Sequence, residues 1–200
     1  MLSSPKPGTI SQNERGNSCA SAQPSSLLVQ FGKLLPHSGL ALDIACGYGQ
    51  NTLYLARHGL TPTGIDLRLD ALAAGREAAA RANLCVSFVQ ADLTRFSLPR
   101  DAFSVVICFK YRDPQLYPTL RAALQPGGLL IYETYTIEHL KFGRKPLNPA
   151  HLLAKNELRH AFGDWEVIFY REVWAGRGLA SLVARKPFPA SESTFRTPAV

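Results

Sequence analysis

Glycines and carboxylates stand at the ends of three consecutive apolar segments of this chain. The first segment contains Asp43 and runs into Gly47 and Gly49. Asp66 follows the second segment, 17 residues after Gly49, and Asp92 follows the third. Glycines let a backbone turn sharply and approach a ligand closely, and a carboxylate after a second strand can accept two hydrogen bonds from ribose hydroxyls. The pattern therefore predicts a site for a ribose-containing ligand where these segments end.

The elements that must position these residues alternate between short apolar strands and helices. The expected strands are 40–45, 61–65, 85–90, 103–109, 129–133, 165–173 and 179–185. The expected helices are 27–35, 52–58, 69–83, 114–124 and 152–162, the fourth of them broken at Pro118. A tight turn is expected at Pro126-Gly127-Gly128, before the fifth strand. Such alternation is typical of a doubly wound α/β fold with a parallel sheet, to which the last two strands should add an antiparallel hairpin edge.

Length, composition and charge restrict the class of protein. The 200 residues are 46% hydrophobic, which suffices for one domain with a full core. No apolar run approaches the roughly 18 residues of a membrane-spanning helix, and the first ten residues lack the apolar stretch of a secretory signal. The net charge of +7 is densest at Lys141, Arg144 and Lys145. It favours a solvated basic face and leaves a nucleic-acid or anionic-substrate surface open.

The cysteines and the two chain ends offer no further chemistry. Cys19, Cys46, Cys85 and Cys108 lack the spacing of a zinc site and are too scattered for a disulfide framework. We therefore expect no metal, reduced thiols and a cytoplasmic location. Residues 1–24 and 188–200 are expected to be flexible tails around one domain over 25–187, because the first of them has almost no large apolar side chain to bury. No oligomeric state is predicted.

A dinucleotide-binding fold is the obvious competitor for the glycine segment. Its fingerprint has three glycines in the pattern G-x-G-x-x-G. In this chain Thr52 stands at the third glycine position, and the fingerprint does not include a carboxylate at the place of Asp43. The sequence therefore disfavours a nicotinamide-dependent oxidoreductase.

Taken in order, these motifs resemble those of the class I S-adenosylmethionine-dependent methyltransferases. The motifs are Asp43-x-x-x-Gly47-x-Gly49, Asp66, Ala91-Asp92-Leu93, the apolar fourth strand and the segment LQPGGLL over 124–130. Within that family, residues 45–56 (ACGYGQNTLYLA) are similar to the small tellurite-resistance, TehB-like, methyltransferases. Ala45 and Asn51 replace glycines of the commoner loop and fit the TehB-like variant.

The resemblance implies a Rossmann-like, doubly wound sheet of seven strands, mostly parallel, with one antiparallel strand near the C-terminal edge. It also implies S-adenosylmethionine as the cofactor, with Asp43 near its amino group, Asp66 on its ribose and Asp92 at its adenine. The residues to which it assigns cofactor binding are Asp43, Ala45, Cys46, Gly47, Gly49, Asn51, Asp66, Leu67, Ala91, Asp92, Leu93, Cys108 and Phe109. Cys108 and Phe109 would lie near the sulfonium.

The acceptor of the methyl group should lie beyond the fourth and fifth strands. Tyr111, Arg112 and Glu133 are the candidates for orienting it. Residues 136–150, with His139 among them, occupy the place where such enzymes often have a substrate lid. The Asn/Asp-Pro-Pro-Tyr/Phe motif of enzymes that methylate amino groups of nucleic-acid bases is absent after the fourth strand.

The predicted function is therefore methyl transfer from S-adenosylmethionine to a small molecule. The resemblance suggests sulfur, selenium, tellurium or the oxygen of an acid as the methylated atom. Two alternatives stay open. The basic C-terminal half is compatible with a protein or RNA acceptor, and a fold of this kind could also bind the cofactor without catalysis.

Overall fold

Seven strands of the described chain form one sheet. The computed structural model describes residues 23–93, 95–142 and 149–189. Its strands are β1 (Leu40–Ile44), β2 (Thr61–Asp66), β3 (Ser87–Gln90), β4 (Phe103–Phe109), β5 (Leu124–Tyr135), β6 (Glu166–Val173) and β7 (Leu179–Arg185). Their order across the sheet is β3-β2-β1-β4-β5-β7-β6. Among them β7 alone runs against the others, because it pairs antiparallel with both β5 and β6. The predicted doubly wound fold with one inserted antiparallel strand is confirmed.

Helices cover both faces of this sheet. They are α1 (Ser26–Gln30), α2 (Gln50–Arg57), α3 (Leu69–Arg81), α4 (Leu116–Ala123) and α5 (Glu157–Phe162), with single 3-10 turns over Gly32–Leu34, Ile137–Phe142 and Pro149–His151. Every residue of β4 is buried, as expected for the central strand of a sheet with two covered faces. Its alternate side chains pack against α4 and α5 on one face and against α1 on the other.

The fourth helix is not broken by its proline. Helix α4 begins at Leu116, which places Pro118 in its first turn. A backbone N–H in the first turn has no partner within the helix, so a proline is tolerated there. The predicted break was wrong because the sequence pattern started this helix two residues too early, at Pro114.

The other differences lie at the ends of elements. Strand β5 begins at Leu124 and contains the predicted Pro126-Gly127-Gly128 turn as an irregularity, since Phe103 pairs with Leu124 but Val105 pairs with Leu129. Strand β7 lies between β5 and β6, so the edge strand is β6, which runs parallel to β5. The predicted antiparallel hairpin at the edge of the sheet is confirmed, with β6 as its outermost strand. Helix α5 begins five residues later than its apolar pattern suggested.

Parts of the predicted organisation lie outside the described residues. Residues 1–22 and 190–200, which make up most of the two predicted tails, belong to this group, and so do Arg144 and Lys145 of the predicted lid. None of the described helices is both long and apolar enough to cross a membrane.

Candidate functional site

The loop between β1 and α2 turns through left-handed backbone. Ala45, Gly47 and Gly49 have φ angles of +54°, +54° and +78°. A Cβ atom added at Gly49 would lie 2.6 Å from the ring of Phe88, whereas one added at Gly47 would meet no atom of the described residues within 4 Å. Gly49 is therefore required by packing, and the open space over Gly47 lets a ligand approach the backbone.

Asp66 fixes this loop from the end of β2. Its Oδ2 accepts a hydrogen bond from the N–H of Gly47 at 2.8 Å, and its Oδ1 accepts one from the N–H of Arg68 at 2.9 Å. A carboxylate oxygen can accept two hydrogen bonds, so each oxygen retains a position for another donor. Because the side chain is partly exposed, these two positions suit the paired hydroxyls of a ribose.

Asp43 lies beneath the loop and is 1% exposed. The hydroxyl of Thr52, in the first turn of α2, donates to Asp43 Oδ2 at 2.6 Å. Burial raises the pKa of Asp43 to about 7, although the hydrogen bonds from Thr52 oppose the rise. The carboxyl group thus joins β1 to the start of α2. Its predicted reach to an amino group of the cofactor stays a prediction.

The ends of β2 and β3 present an apolar side chain beside a carboxylate. Leu67 directly follows β2 and is 66% exposed. The two strand ends are joined by a hydrogen bond from the N–H of Ala91 to the carbonyl of Asp66, at 3.2 Å. Asp92, the next residue, is exposed. An exposed leucine offers a flat base an apolar surface, and a carboxylate can accept a hydrogen bond from an amino group of that base.

Several predicted cofactor residues pack into the core. Cys46, Leu93, Cys108 and Phe109 are each less than one-tenth exposed. Burial raises the pKa of both thiols, to about 12 for Cys108. These cysteines are therefore protonated packing residues rather than reactive thiolates. Asn51 ties two elements together, because its Oδ1 accepts a hydrogen bond from the N–H of Ser25, just before α1, at 2.8 Å.

The turn after β4 is held by backbone hydrogen bonds. Lys110 has a φ of +58°, and its N–H donates to the carbonyl of Glu133 at 2.8 Å. The carbonyl of Tyr111 accepts a hydrogen bond from the hydroxyl of Tyr132 at 2.9 Å. Burial, reinforced by the charge of Asp113, raises the pKa of the Tyr111 phenol, so it is a neutral donor at neutral pH. Tyr111 is half-buried and packs against the core.

Arg112 is bound to the neighbouring helix. Its Nε and Nη2 donate to the two carboxylate oxygens of Glu157, at 2.8 and 3.0 Å, and its Nη1 donates to the carbonyl of Ala150 at 2.5 Å. Tyr117 donates to the same carboxylate at 2.7 Å. Through these contacts the Arg112 guanidinium links the turn after β4 to α5. The sequence singled out Arg112 for orienting an acceptor, but the structure places it as a clamp within the protein.

Glu133 lies at the end of β5, opposite Ser181 of β7. The Ser181 hydroxyl donates to Glu133 Oε2 at 2.6 Å. In the segment that follows, His139 is buried with its ring 4.3 Å from that of Tyr135, and Lys141 pairs with Glu138. The described part of the chain has no group of His, Cys, Asp and Glu side chains that could hold a metal ion.

The sequence reasoning missed Thr52 and Glu157. Thr52 had a local signal, since a hydroxyl in the first turn of a predicted helix can meet a carboxylate from the preceding strand. Glu157 had no local signal, because it lies 45 residues from Arg112 in the sequence and only the fold brings the two together.

Comparisons with known proteins find matches both to the sequence around the glycine loop and to the fold. Residues 41–128 match the family model described as a methyltransferase domain. The probable S-adenosyl-L-methionine-dependent methyltransferase TehB of Haemophilus influenzae is 28% identical over 138 residues, which are 66% of this chain and 47% of that protein. The crystal structure of TehB from the same organism superposes with a TM-score of 0.67 at 22% identity, covering 80% of this chain and 61% of that one.

In sequence and in fold, the chain is similar to the class I S-adenosylmethionine-dependent methyltransferases. A ubiquinone biosynthesis O-methyltransferase of Coxiella burnetii is also similar, with 26% identity over 98 residues, 46% of this chain and 42% of that protein. The structure of an S-adenosylmethionine-dependent methyltransferase from Mesorhizobium loti superposes with a TM-score of 0.65 at 19% identity, covering 80% and 98% of the two chains. The chain spans about half the length of the curated relatives it matches.

The residues around the glycine loop fit S-adenosylmethionine, the cofactor of these similar proteins. The glycine loop leaves open space over Gly47, Asp66 keeps two acceptor positions, and Leu67 exposes an apolar surface beside Asp92. These groups come from the loop after β1 and from the ends of β2 and β3, which are neighbours in the sheet. Their individual roles in binding are taken up as proposals below.

Proposed function

We propose that this protein transfers the methyl group of S-adenosylmethionine to a small-molecule acceptor by in-line displacement. The observation that carries the proposal is the hydrogen bond between the Gly47 N–H and Asp66, which sets an open backbone loop next to a partly exposed carboxylate. The TehB and ubiquinone O-methyltransferase relatives support a small acceptor. The reduced cysteines, three of which are free in the described residues, are in keeping with the proposed cytoplasmic location.

In the proposed binding mode the chain supplies one contact for each part of the cofactor. Asp66 accepts hydrogen bonds from the ribose hydroxyls, and the backbone at Gly47 faces the methionine part. Leu67 packs on the adenine while Asp92 accepts a hydrogen bond from its amino group. Asp43 does not contact the cofactor in this mode, and its hydrogen bond with Thr52 holds α2 and the glycine loop in place.

The cofactor supplies a methyl group that its sulfonium already activates for transfer. The protein's part is then to exclude water and to hold the acceptor in line, and such positioning can lower a barrier by roughly 7–11 kcal/mol. In this mode Tyr111, just after β4, borders one side of the acceptor space, and Glu133, near the end of β5, borders the other. Glu133, which accepts a hydrogen bond from Ser181, would orient a polar acceptor or take its proton.

Two measurements on the full chain test this function. Calorimetric titration should show micromolar binding of S-adenosylmethionine and S-adenosylhomocysteine and none of NAD(H). Release of S-adenosylhomocysteine should then be measured with thiols, chalcogen oxyanions, hydroxy compounds, RNA and protein. Failure to bind the first pair would overturn the cofactor assignment. Release with RNA or protein alone would favour the macromolecular alternative, with RNA binding that falls steeply with salt. Binding without release from any class would favour a non-catalytic module.

A further inference from the structure

The side chain of the middle residue of the glycine loop is held by the segment that follows β2. Tyr48 lies between Gly47 and Gly49 and is half-buried. Its hydroxyl accepts a hydrogen bond from Arg68 Nη2 at 3.1 Å, and the Arg68 guanidinium lies 5.3 Å from the centroid of the Tyr48 ring. Neither side chain has a part in the proposed binding mode.

Arg68 is itself fixed by its neighbours. Its Nη2 and Nε donate to the two carboxylate oxygens of Asp70, at 2.6 and 3.4 Å. Such a two-pronged pair with a carboxylate orients a guanidinium as well as binding it. The backbone N–H of Arg68 donates to Asp66 Oδ1 at 2.9 Å. Arg68 therefore connects Asp66, the residue proposed to bind the ribose, with the side chain of Tyr48.

Helix α3, which begins directly after Arg68, also meets the loop farther along. A Cβ atom added at Gly75 of this helix would lie 3.2 Å from the carbonyl oxygen of Tyr48 and 2.9 Å from the ring of Phe88. The lack of a side chain at Gly75 lets α3 lie against the loop backbone. The same Phe88 ring fills the space beside Gly49. Tyr48 is thus the residue at which helix and loop meet, through both its hydroxyl and its carbonyl.

Two neighbouring hydrogen bonds join the loop to the end of β2. The N–H of Gly47 donates to Asp66, and the side chain of Arg68 donates to Tyr48. Gly47 has left-handed backbone, and a Cβ atom added there would meet no atom of the described residues within 4 Å. Packing on that side does not hold the loop at Gly47, so the hydrogen bond at Tyr48 limits how far Gly47 moves relative to Asp66.

We propose that Tyr48 and Arg68 are positioning residues for the methionine part of S-adenosylmethionine. Their hydrogen bond keeps the loop backbone at the distance from Asp66 at which one molecule contacts both, and neither side chain needs to touch the cofactor. The inference rests on the proposed function, because that function supplies the ligand whose two parts meet the loop and Asp66.

Two ligands separate this role from a direct contact with the adenosine part. S-Adenosylhomocysteine has both parts, whereas 5′-methylthioadenosine lacks the amino-acid part. Both are titrated calorimetrically into the full chain and into Tyr48→Phe and Arg68→Gln. Each substitution should raise the Kd of S-adenosylhomocysteine about threefold to tenfold, the scale of one hydrogen bond, and leave that of 5′-methylthioadenosine within about twofold. The matched control Arg81→Gln removes a similarly exposed arginine, paired with Glu77 at the other end of α3, and should change neither Kd.

A positioning role also predicts the behaviour of the double variant and of stability. Tyr48→Phe combined with Arg68→Gln should bind S-adenosylhomocysteine no more weakly than the weaker single variant, because both substitutions remove the same hydrogen bond. The thermal midpoints of all variants should stay within about 2 °C of the parent protein, since an exposed charged contact contributes little to stability.

Unchanged binding of S-adenosylhomocysteine in both single variants would overturn the inference, and so would additive losses in the double variant. Equal losses for the two ligands would overturn it as well, because they would place these side chains at the adenosine part. A fall in the thermal midpoint that accompanies the loss of affinity would show a general loosening of the fold instead. If the parent protein does not bind S-adenosylhomocysteine, the proposed function fails and this inference fails with it. If the parent binds it and the variants bind as the parent does, this inference alone is refuted.

Discussion

Replacing Asp66 by alanine should weaken S-adenosylhomocysteine binding while leaving the protein folded. The substitution removes both carboxylate oxygens, and with them the acceptors for the Gly47 and Arg68 N–H groups and for the ribose. A hydrogen bond to a charged group contributes about 1.5–3 kcal/mol. Loss of one such bond to the ribose therefore predicts a rise in Kd of roughly 10- to 150-fold. Asp66→Asn, which keeps one acceptor oxygen, should fall between Asp66→Ala and the parent protein.

The assay is calorimetric titration with S-adenosylhomocysteine at constant pH and salt, with the thermal midpoint measured on the same samples. Glu77→Ala is the matched control. Its carboxylate is 72% exposed and pairs with Arg81 within α3. A folded Asp66→Ala protein with an affinity within twofold of the parent would show that Asp66 is not at the ribose. An equal loss in Glu77→Ala would show that the effect is one of general charge.

Four further substitutions test the loop and the carboxyl group beneath it. Ala45→Gly should raise the free energy of unfolding in urea by about 0.5–1 kcal/mol, because Ala45 has a φ of +54° and glycine adopts such left-handed backbone without strain. An unchanged or lower stability would mean that the backbone at Ala45 is not strained. Gly49→Ala should lower the free energy of unfolding by roughly 2 kcal/mol, because the added methyl group clashes with Phe88. Gly47→Ala should lower it by only about 1 kcal/mol and should weaken cofactor binding. Equal losses of stability in the two variants would contradict the open space over Gly47. Because the pKa of Asp43 is raised from 3.8 to about 7, its contribution to stability is present at low pH and is lost as the pH rises through that window. The stability of the parent protein relative to Asp43→Asn should therefore fall between pH 4.5 and 6.5, by at most about 1.4 kcal/mol per pH unit, and a difference independent of pH would refute the raised pKa.

The fold and the cofactor side could be predicted because their signals are local. Gly47 and Gly49 follow directly on an apolar segment, and Asp66 and Asp92 stand at the ends of the next two. In a parallel sheet the ends of neighbouring strands meet, so spacing along the chain is enough to place such residues together. The family resemblance added that one antiparallel strand lies near the C-terminal edge, because the hairpin pattern alone predicts that the last two strands pair but not which of them lies next to β5.

The acceptor side could not be predicted in the same way because its contacts are long-range. Whether Arg112 faces a ligand depends on Glu157, which comes from a helix 45 residues away. The error at Pro118 is of another kind, since it followed from a helix start misplaced by two residues.

The place of β7 in the sheet has a consequence for the synthesis of the chain. The strand that lies between β5 and β6 is made after both of them. Until residue 185 has left the ribosome, β5 therefore has a free edge whose Leu129–Tyr132 side chains end up buried, and β6 has no partner in the described sheet. An apolar strand with an unpaired edge can pair with other chains. Ribosomes that pause before codon 179 should therefore produce nascent chains that depend on chaperones, and release of the last strand ends that dependence.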